Sequence, residues 1–175
     1  MELDVAIQLI TGFRKPVQTP EIWLDLGCGS GLFTHALAHF LSPKSEIYAI
    51  DKEPVAIIPL NRPGDIVIHP LQLDFVQEEL SFRELDGILM ANSLHFVRDK
   101  PVFLRAIGRR LKAGGLFLIV EYDSDKPNPW VPFPLGFRSL ENLFKKEGYT
   151  DIRKLGEHPS RYGRSNMYAA AISKK

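Results

Sequence analysis

The stretch Asp25-Leu26-Gly27-Cys28-Gly29-Ser30-Gly31 constrains this chain more than any other. The apolar run Ile22-Trp23-Leu24 precedes it, and Leu32, Phe33, Ala36, Leu37 and Phe40 follow at helical spacing until Ser42-Pro43 stops the period. The reading is strand, glycine turn, helix. Glycines at the end of a first strand let backbone N–H groups approach a ligand closely, and the helix that starts there turns its positive end toward an anion. A dinucleotide-binding turn reads G-x-G-x-x-G, but from Gly27 and Gly29 the third position is Leu32 and the third glycine stands at Gly31. The displaced glycine disfavours a pyrophosphate cradle.

The rest of the chain repeats this alternation. Leu3, Ala6, Ile7 and Ile10 predict a helix, which Pro16 and Pro20 separate from the first strand. Glu46 to Asp51 is a short buried-type strand ending in an acid, and Pro54, Pro59 and Pro63 forbid a long regular helix in the crossover after it. A third strand fits Ile66-Val67-Ile68, ending near Leu71 to Asp74, and a fourth fits Leu85 to Asn92. Phe103, Ala106, Ile107 and Leu111 line one helix face, Gly114-Gly115 read as its C-cap, and Leu116 to Glu121 is a fifth strand. Five such runs separated by crossovers predict a mostly parallel, doubly wound α/β sheet with helices on both faces. Residues 122–135 interleave Pro127, Pro129, Pro132 and Pro134 with Tyr122, Trp130 and Phe133, which predicts an ordered loop or lid. Phe137, Leu140, Leu143 and Phe144 then form a helical stripe. The last strands, near 149–156 and 166–173, are too close for a parallel crossover, so the final strand is expected to run antiparallel.

At 175 residues, 45% of them apolar, one self-sufficient core is expected. Lys plus Arg at 22 against Asp plus Glu at 21 leaves +1, which gives no overall field to hold nucleic acid or an anionic membrane. Cys28 is the single cysteine, and the chain has no zinc-type ligand spacing, so neither a disulfide nor a structural metal is expected. Glu2 and Asp4 stand where a signal peptide would carry positive charge, and the aliphatic run Leu116 to Val120 is far short of the ~20 residues of a membrane helix. A cytoplasmic protein is expected. Cys28 at a helix start is either a nucleophile of lowered pKa or a small residue packed in the turn.

Asp51 lies 20 residues beyond Gly31 at the tip of the second strand, where a carboxylate accepts hydrogen bonds from both hydroxyls of a ribose. A nucleoside with a small anionic group fits this arrangement better than a dinucleotide. Over residues 21–121 the chain resembles the class I S-adenosylmethionine-dependent methyltransferases of the short, small-molecule type. The matching motifs are Asp25 to Gly31, Ala49-Ile50-Asp51, Leu73-Asp74-Phe75, Ala91 to Phe96, and Leu111 to Gly115, in that order. The resemblance implies a seven-stranded sheet with an antiparallel last strand. It also implies that Asp25, Gly27, Gly29 and Ser30 surround the methionine part of S-adenosylmethionine, that Asp51 holds the ribose, and that Asp74 faces the adenine amino group. Phe75 and Lys52 would flank the ring, and Asn92 would sit near the sulfonium and the methionine amino group.

The expected organisation is a single domain, with an N-terminal helix and linker over 1–20, a cofactor-binding core over 21–121, and an acceptor-side loop, helix and hairpin over 122–175. Ligands of open α/β sheets sit beyond the carboxyl ends of the strands, so Ser93, His95 and Phe96 after the fourth strand and Tyr122 and Asp123 after the fifth should face the acceptor. Trp130 and Phe133 would wall it. His95 is either a general base for that acceptor or a buried, hydrogen-bonded structural histidine. The expected partner is a small-molecule acceptor rather than RNA or protein, since residues 92–95 carry no N/D-P-P-Y/F-type motif. Two other readings share the fold: an NAD-linked oxidoreductase, and a non-catalytic ligand- or partner-binding domain.

Overall fold

The computed structural model describes residues 1–57, 65–160 and 165–174. Its last strand, β7 (Asn166–Ser173), shows how the molecule divides into two cores. Met167, Ala169 and Ala171 point to one face of the sheet, while Tyr168, Ala170 and Ile172 point to the other, and all six are buried. Successive residues of a strand face opposite ways, so a strand apolar at both sets of positions must be covered twice. On one face lie α1 (Leu3–Ile10) and α2 (Leu32–Ala38), packed through Ala6, Leu9, Ile10, Phe33 and Leu37. On the other lie α3 (Lys100–Gly108) and α4 (Phe137–Lys146), packed through Leu104, Ile107, Leu140 and Phe144.

The remaining strands are β1 (Ile22–Leu26), β2 (Glu46–Asp51), β3 (Val67–Gln72), β4 (Leu85–Ala91), β5 (Leu111–Tyr122) and β6 (Asp151–Pro159). Together they make one seven-stranded sheet in the order β3-β2-β1-β4-β5-β7-β6. Strands β1 to β5 pair in parallel, and β7 runs antiparallel between β5 and β6. The doubly wound α/β sheet expected from the alternation is therefore present, with its antiparallel strand and with helices on both faces. The order turns back at β1 and β4, and a crevice opens there beyond the carboxyl ends.

Local chemistry explains several boundaries. Pro70 lies inside β3, where it is tolerated because β3 is an edge strand and needs ladder donors on one side only. No helix follows β2 over residues 52–57 or 65–66, whereas Pro59 and Pro63 lie outside the described residues. Trp23 is fully buried against Gly87 of the neighbouring strand, and a methyl group at 87 would collide with the indole. Among the described residues, no helix is long and apolar enough to cross a membrane.

The glycine pair at 114–115 requires a correction. It caps no helix: α3 ends at Gly108, Leu111 opens β5, and both glycines lie within that strand. Pairing with β4 jumps from Leu85↔Leu111 to Gly87↔Leu116, so residues 112–115 form a bulge with Gly114 at φ +80°. A Cβ on Gly115 would stand 2.9 Å from the Leu85 carbonyl, which accounts for glycine at that position. The second helix also stops at Ala38, short of Phe40.

Candidate active site

The glycine turn closes over the end of β2 through two backbone bonds, from the N–H groups of Gly27 and Cys28 to the Ile50 carbonyl at 2.7 and 3.0 Å. Gly27 has φ +81° and Gly29 φ +52°, values that favour glycine. A Cβ on Gly27 would collide with Ser93, which follows β4, whereas one on Gly29 would meet nothing within 4 Å. The turn is thus packed on one side and open on the other. The open side is a cleft of 460 Å³ beyond the carboxyl ends of β1, β2 and β4.

Gly27, Gly29, Asp51, Lys52, Asp74, Phe75 and Asn92 all line this cleft, so the structure brings most of the expected cofactor residues together. Asp51 accepts the Gly29 N–H at 2.8 Å on one oxygen and the Glu53 N–H at 3.1 Å on the other. Each oxygen keeps a second lone pair for a ligand hydroxyl. Asp74 accepts the Val76 N–H at 3.0 Å, and its own N–H donates to Glu78, which fixes the loop that carries Phe75. Asn92 has the left-handed φ of +54°, and its side-chain Oδ1 is buried without a donor among the described residues. An unused buried acceptor on the wall of a cleft is costly unless a ligand supplies the hydrogen.

Two expected residues stand elsewhere. Ser30 is exposed and does not line the cleft. Asp25 is 1% exposed and lies at the end of β1, where it accepts the Thr34 hydroxyl on Oδ2 and nothing among the described residues on Oδ1. Burial pushes its carboxyl up to about 7, against the Thr34 hydrogen bond and with some help from the Asp51 charge. Burial, with the charges of Asp25 and Asp51, also pushes the Cys28 thiol up to about 12, so Cys28 is protonated at neutral pH. That is the packed, inert reading of the cysteine.

On the far side of β4, a short 3-10 turn, Leu94–Phe96, carries His95. His95 is 3% exposed and held by Glu121 of β5 at two points. Its backbone N–H donates to Oε1 at 3.0 Å, and its Nδ1 meets Oε2 at 2.8 Å. With Nδ1 as donor to the carboxylate, Nε2 is left as the acceptor nitrogen, and it has no hydrogen bond among the described residues. Lys100, also buried, donates to the carbonyls of Val97 and Phe133 at 2.9 and 2.7 Å. The Phe133 N–H in turn donates to the His95 carbonyl at 3.0 Å, so Phe133 fastens the proline-rich loop both to the His95 turn and to α3. Burial holds the Lys100 ammonium below its ordinary range, with the Glu121 charge opposing.

Neither Glu121 nor Lys100 was among the residues picked from sequence. The available signal was a carboxylate in phase with Phe117 and Ile119 on the buried face of an apolar strand. Arg105 of α3 pairs with Glu147 at 2.9 Å, and Arg110, just beyond the helix, with Glu79 at 3.6 Å. Beyond β5 lies a second cleft, of 590 Å³, between Tyr122, the Trp130 loop and the ends of the β6–β7 hairpin. Phe96 of the His95 turn lines the first cleft, and Tyr122, whose ring is 6.3 Å from that of His95, lines the second.

Residues 24–117 match the family model described as a methyltransferase domain. An uncharacterized protein of Synechococcus sp. is 35% identical over 122 residues, 67% of this chain, which spans 29% of that protein's length. Among solved structures, the Burkholderia thailandensis 1,6-didemethyltoxoflavin-N1-methyltransferase, with 1,6-didemethyltoxoflavin and S-adenosylhomocysteine bound, has TM-score 0.69 and 18% identity. That match covers 99% of this chain and 78% of the other. An Archaeoglobus fulgidus SAM-dependent methyltransferase has TM-score 0.68 and 13% identity, covering 99% and 95%. The Haemonchus contortus phosphoethanolamine N-methyltransferase 2, in complex with S-adenosyl-L-methionine, has TM-score 0.68 and 14% identity, covering 98% and 52%.

Proposed function

Since this chain belongs to the methyltransferase-domain family, we propose that it transfers a methyl group from S-adenosylmethionine to a small-molecule acceptor. The observation that carries the reading is that Asn92, whose buried Oδ1 has no donor among the described residues, lines the same cleft as the strand-tip carboxylates Asp51 and Asp74. A donor belongs at the former and hydroxyl and amino groups at the latter, which is the polarity of an amino acid joined to a nucleoside. The cofactor supplies a methyl group on a sulfonium, a leaving group that needs no activation.

The chain's own residues bind, orient and shield. Asn92 Oδ1 accepts from the methionine ammonium, and the open side of Gly29 admits the amino-acid part. Asp51 uses its remaining lone pairs for the ribose hydroxyls, Asp74 accepts from the adenine amino group, and Phe75 and Lys52 flank the ring. Asp25 acts from below by supporting the turn through Thr34. Holding nucleophile and methyl in line supplies up to about 7–11 kcal/mol of the barrier reduction. Where the acceptor is a hydroxyl, His95 takes its proton at Nε2, and Glu121 is the positioning residue that fixes the tautomer. The free thiol of Cys28 and the formal charge of +1 fit a cytoplasmic protein acting on a small molecule rather than on nucleic acid.

Calorimetric titration of the full chain with S-adenosylmethionine and, separately, with NAD tests the reading. Saturable binding of S-adenosylmethionine is expected. Tight NAD binding without a response to S-adenosylmethionine would refute it and favour the oxidoreductase reading.

A further inference from the structure

The cleft beyond β5 has a chemistry of its own. Its walls include Tyr122, Val131, Pro134 and Trp130, and the indole of Trp130 is 80% exposed. An indole this exposed leaves most of its apolar surface in water, a loss of burial that the neighbouring backbone does not relieve. That backbone is nevertheless fixed. The side chain of Asn128 accepts the N–H groups of Trp130 and Val131 at 2.9 and 3.0 Å, and Asn128 and Val131 also pair through their backbones. The indole is therefore held out on a tight turn above Tyr122 and Pro134, which suits stacking on a flat ring.

The electrostatics of the cleft are one-sided. Lys126 is the charged residue among its described lining, and it makes no ion pair among the described residues. The acids nearest in sequence are absent from the described lining and make contacts of their own. Asp123 accepts the Phe137 N–H at 2.8 Å and pairs with Lys154, while Asp125 accepts the Gly136 N–H and the Ser139 hydroxyl at 2.8 and 2.9 Å. Glu157 on the hairpin is paired with Lys154 and Asn166. Among the described residues the lining of the cleft holds one ammonium and no carboxylate, which favours an anion over a cation. The volume of 590 Å³ is that of a small-molecule site.

We propose that this cleft binds the acceptor and that the acceptor is a flat aromatic acid, with its ring against Trp130 and its carboxylate toward Lys126. The proposal rests on the methyl-transfer reading for the word acceptor, but the binding itself is measurable without cofactor. His95 does not itself line the cleft, but its ring lies 6.3 Å from that of Tyr122, which does.

Three phenols of graded charge decide it: 4-hydroxybenzoate, its neutral isostere 4-hydroxybenzamide, and the cationic tyramine, titrated into the full chain. Trp23 is fully buried and Trp130 is exposed, so fluorescence quenching reports on the cleft, and calorimetry supplies affinities where the indole is removed. The expected order is acid, amide, amine, with the acid at least about tenfold tighter than the amide at low salt. Lys126→Gln should bring the acid to within about threefold of the amide, and Trp130→Ala should weaken all three probes. Both positions lie outside helices and strands, so the fold is expected to persist. Acid and amide binding within threefold, amine binding tightest, or no saturable binding of any probe overturns the proposal. Titration with S-adenosylmethionine in the same preparation separates the two readings: loss of that binding alone refutes methyl transfer, and loss of probe discrimination alone refutes the aromatic acid.

Discussion

Asparagine in place of Asp25 tests whether the floor of the glycine turn holds a carboxyl group that resists ionisation. In the native state, burial pushes this group up from 3.8 to about 7, with the Thr34 bond opposing. Below pH 3.8 the side chain is protonated in folded and unfolded chains alike, and its ionisation has no effect on stability. From there to about pH 7 the unfolded chain releases the proton and the folded chain keeps it, so stability falls by about 1.4 kcal/mol per pH unit. Above that the difference is complete, and the native state carries a penalty of about 4 kcal/mol. That is large against a typical total of about 5–15 kcal/mol. Asparagine keeps an acceptor for Thr34 and abolishes the titration, but it places an amide N–H where Oδ1 now has no partner, at a cost of about 1–3 kcal/mol. The variant should therefore be less stable than the parent near pH 4 and more stable by about 1–3 kcal/mol near pH 8, with the two curves crossing between about pH 4.5 and 6. Urea unfolding of both proteins from about pH 4 to about pH 8.5 measures this difference, in which most other titrating groups cancel. A difference that stays flat across the range would mean that the carboxyl ionises as it does in water, and the burial argument would be wrong. Thr34→Val, which removes the donor that favours the ionised form, should deepen the parent's loss at alkaline pH.

Three further outcomes follow from the site. Asp51→Ala should weaken S-adenosylmethionine binding by about 1.5–3 kcal/mol, roughly 10- to 150-fold, measured by calorimetry, because the ribose loses charge-assisted bonds and the Gly29 N–H loses its acceptor. Asn92→Gly should hold stability within about 1 kcal/mol, since the left-handed φ suits glycine, yet lower cofactor affinity; unchanged affinity would remove Asn92 from the site. With an acceptor that turns over, Glu121→Gln should lower kcat by about 10²–10⁴ while leaving cofactor binding intact, and adding His95→Ala should cost little more. Independent losses in that double variant would break the proposed pairing.

Strand β2 was legible to the residue because a short apolar run ending in an acid has one good solution in a parallel sheet. Gly114-Gly115 misled because a glycine pair serves a helix cap and a strand bulge equally well, and sequence spacing does not distinguish them. A long-range contact accompanies the earlier helix end: a Cβ on Gly108 would collide with the Tyr149 hydroxyl, forty-one positions away. The strand-tip residues Asp51, Asp74 and Asn92 were legible because their place in the βα alternation fixes their place in space. Asp25 was not, since the same alternation says nothing about which way a strand's last carboxylate points. The clamp of Glu121 on His95 joins β5 to the turn that follows β4, residues 26 positions apart, and it became visible only with the register of β4 and β5.

The antiparallel β7 has an effect on how such a chain could be rebuilt. Because β6 runs in the direction of β5, the end of β6 and the start of β7 lie at the same edge as the clefts, where Ser160 and Ser165 line the second one with Tyr122. The glycine turn after β1 and Asp51 at the tip of β2, which line the first cleft, are separated from that hairpin by β4 and β5. Substitutions at Lys126 and Trp130 would reshape one mouth while leaving the backbone bonds of Gly27, Cys28 and Gly29 in the other in place. The sheet is in effect a fixed handle with an exchangeable jaw, and a library varied only at that jaw should retain its reagent while changing what it modifies.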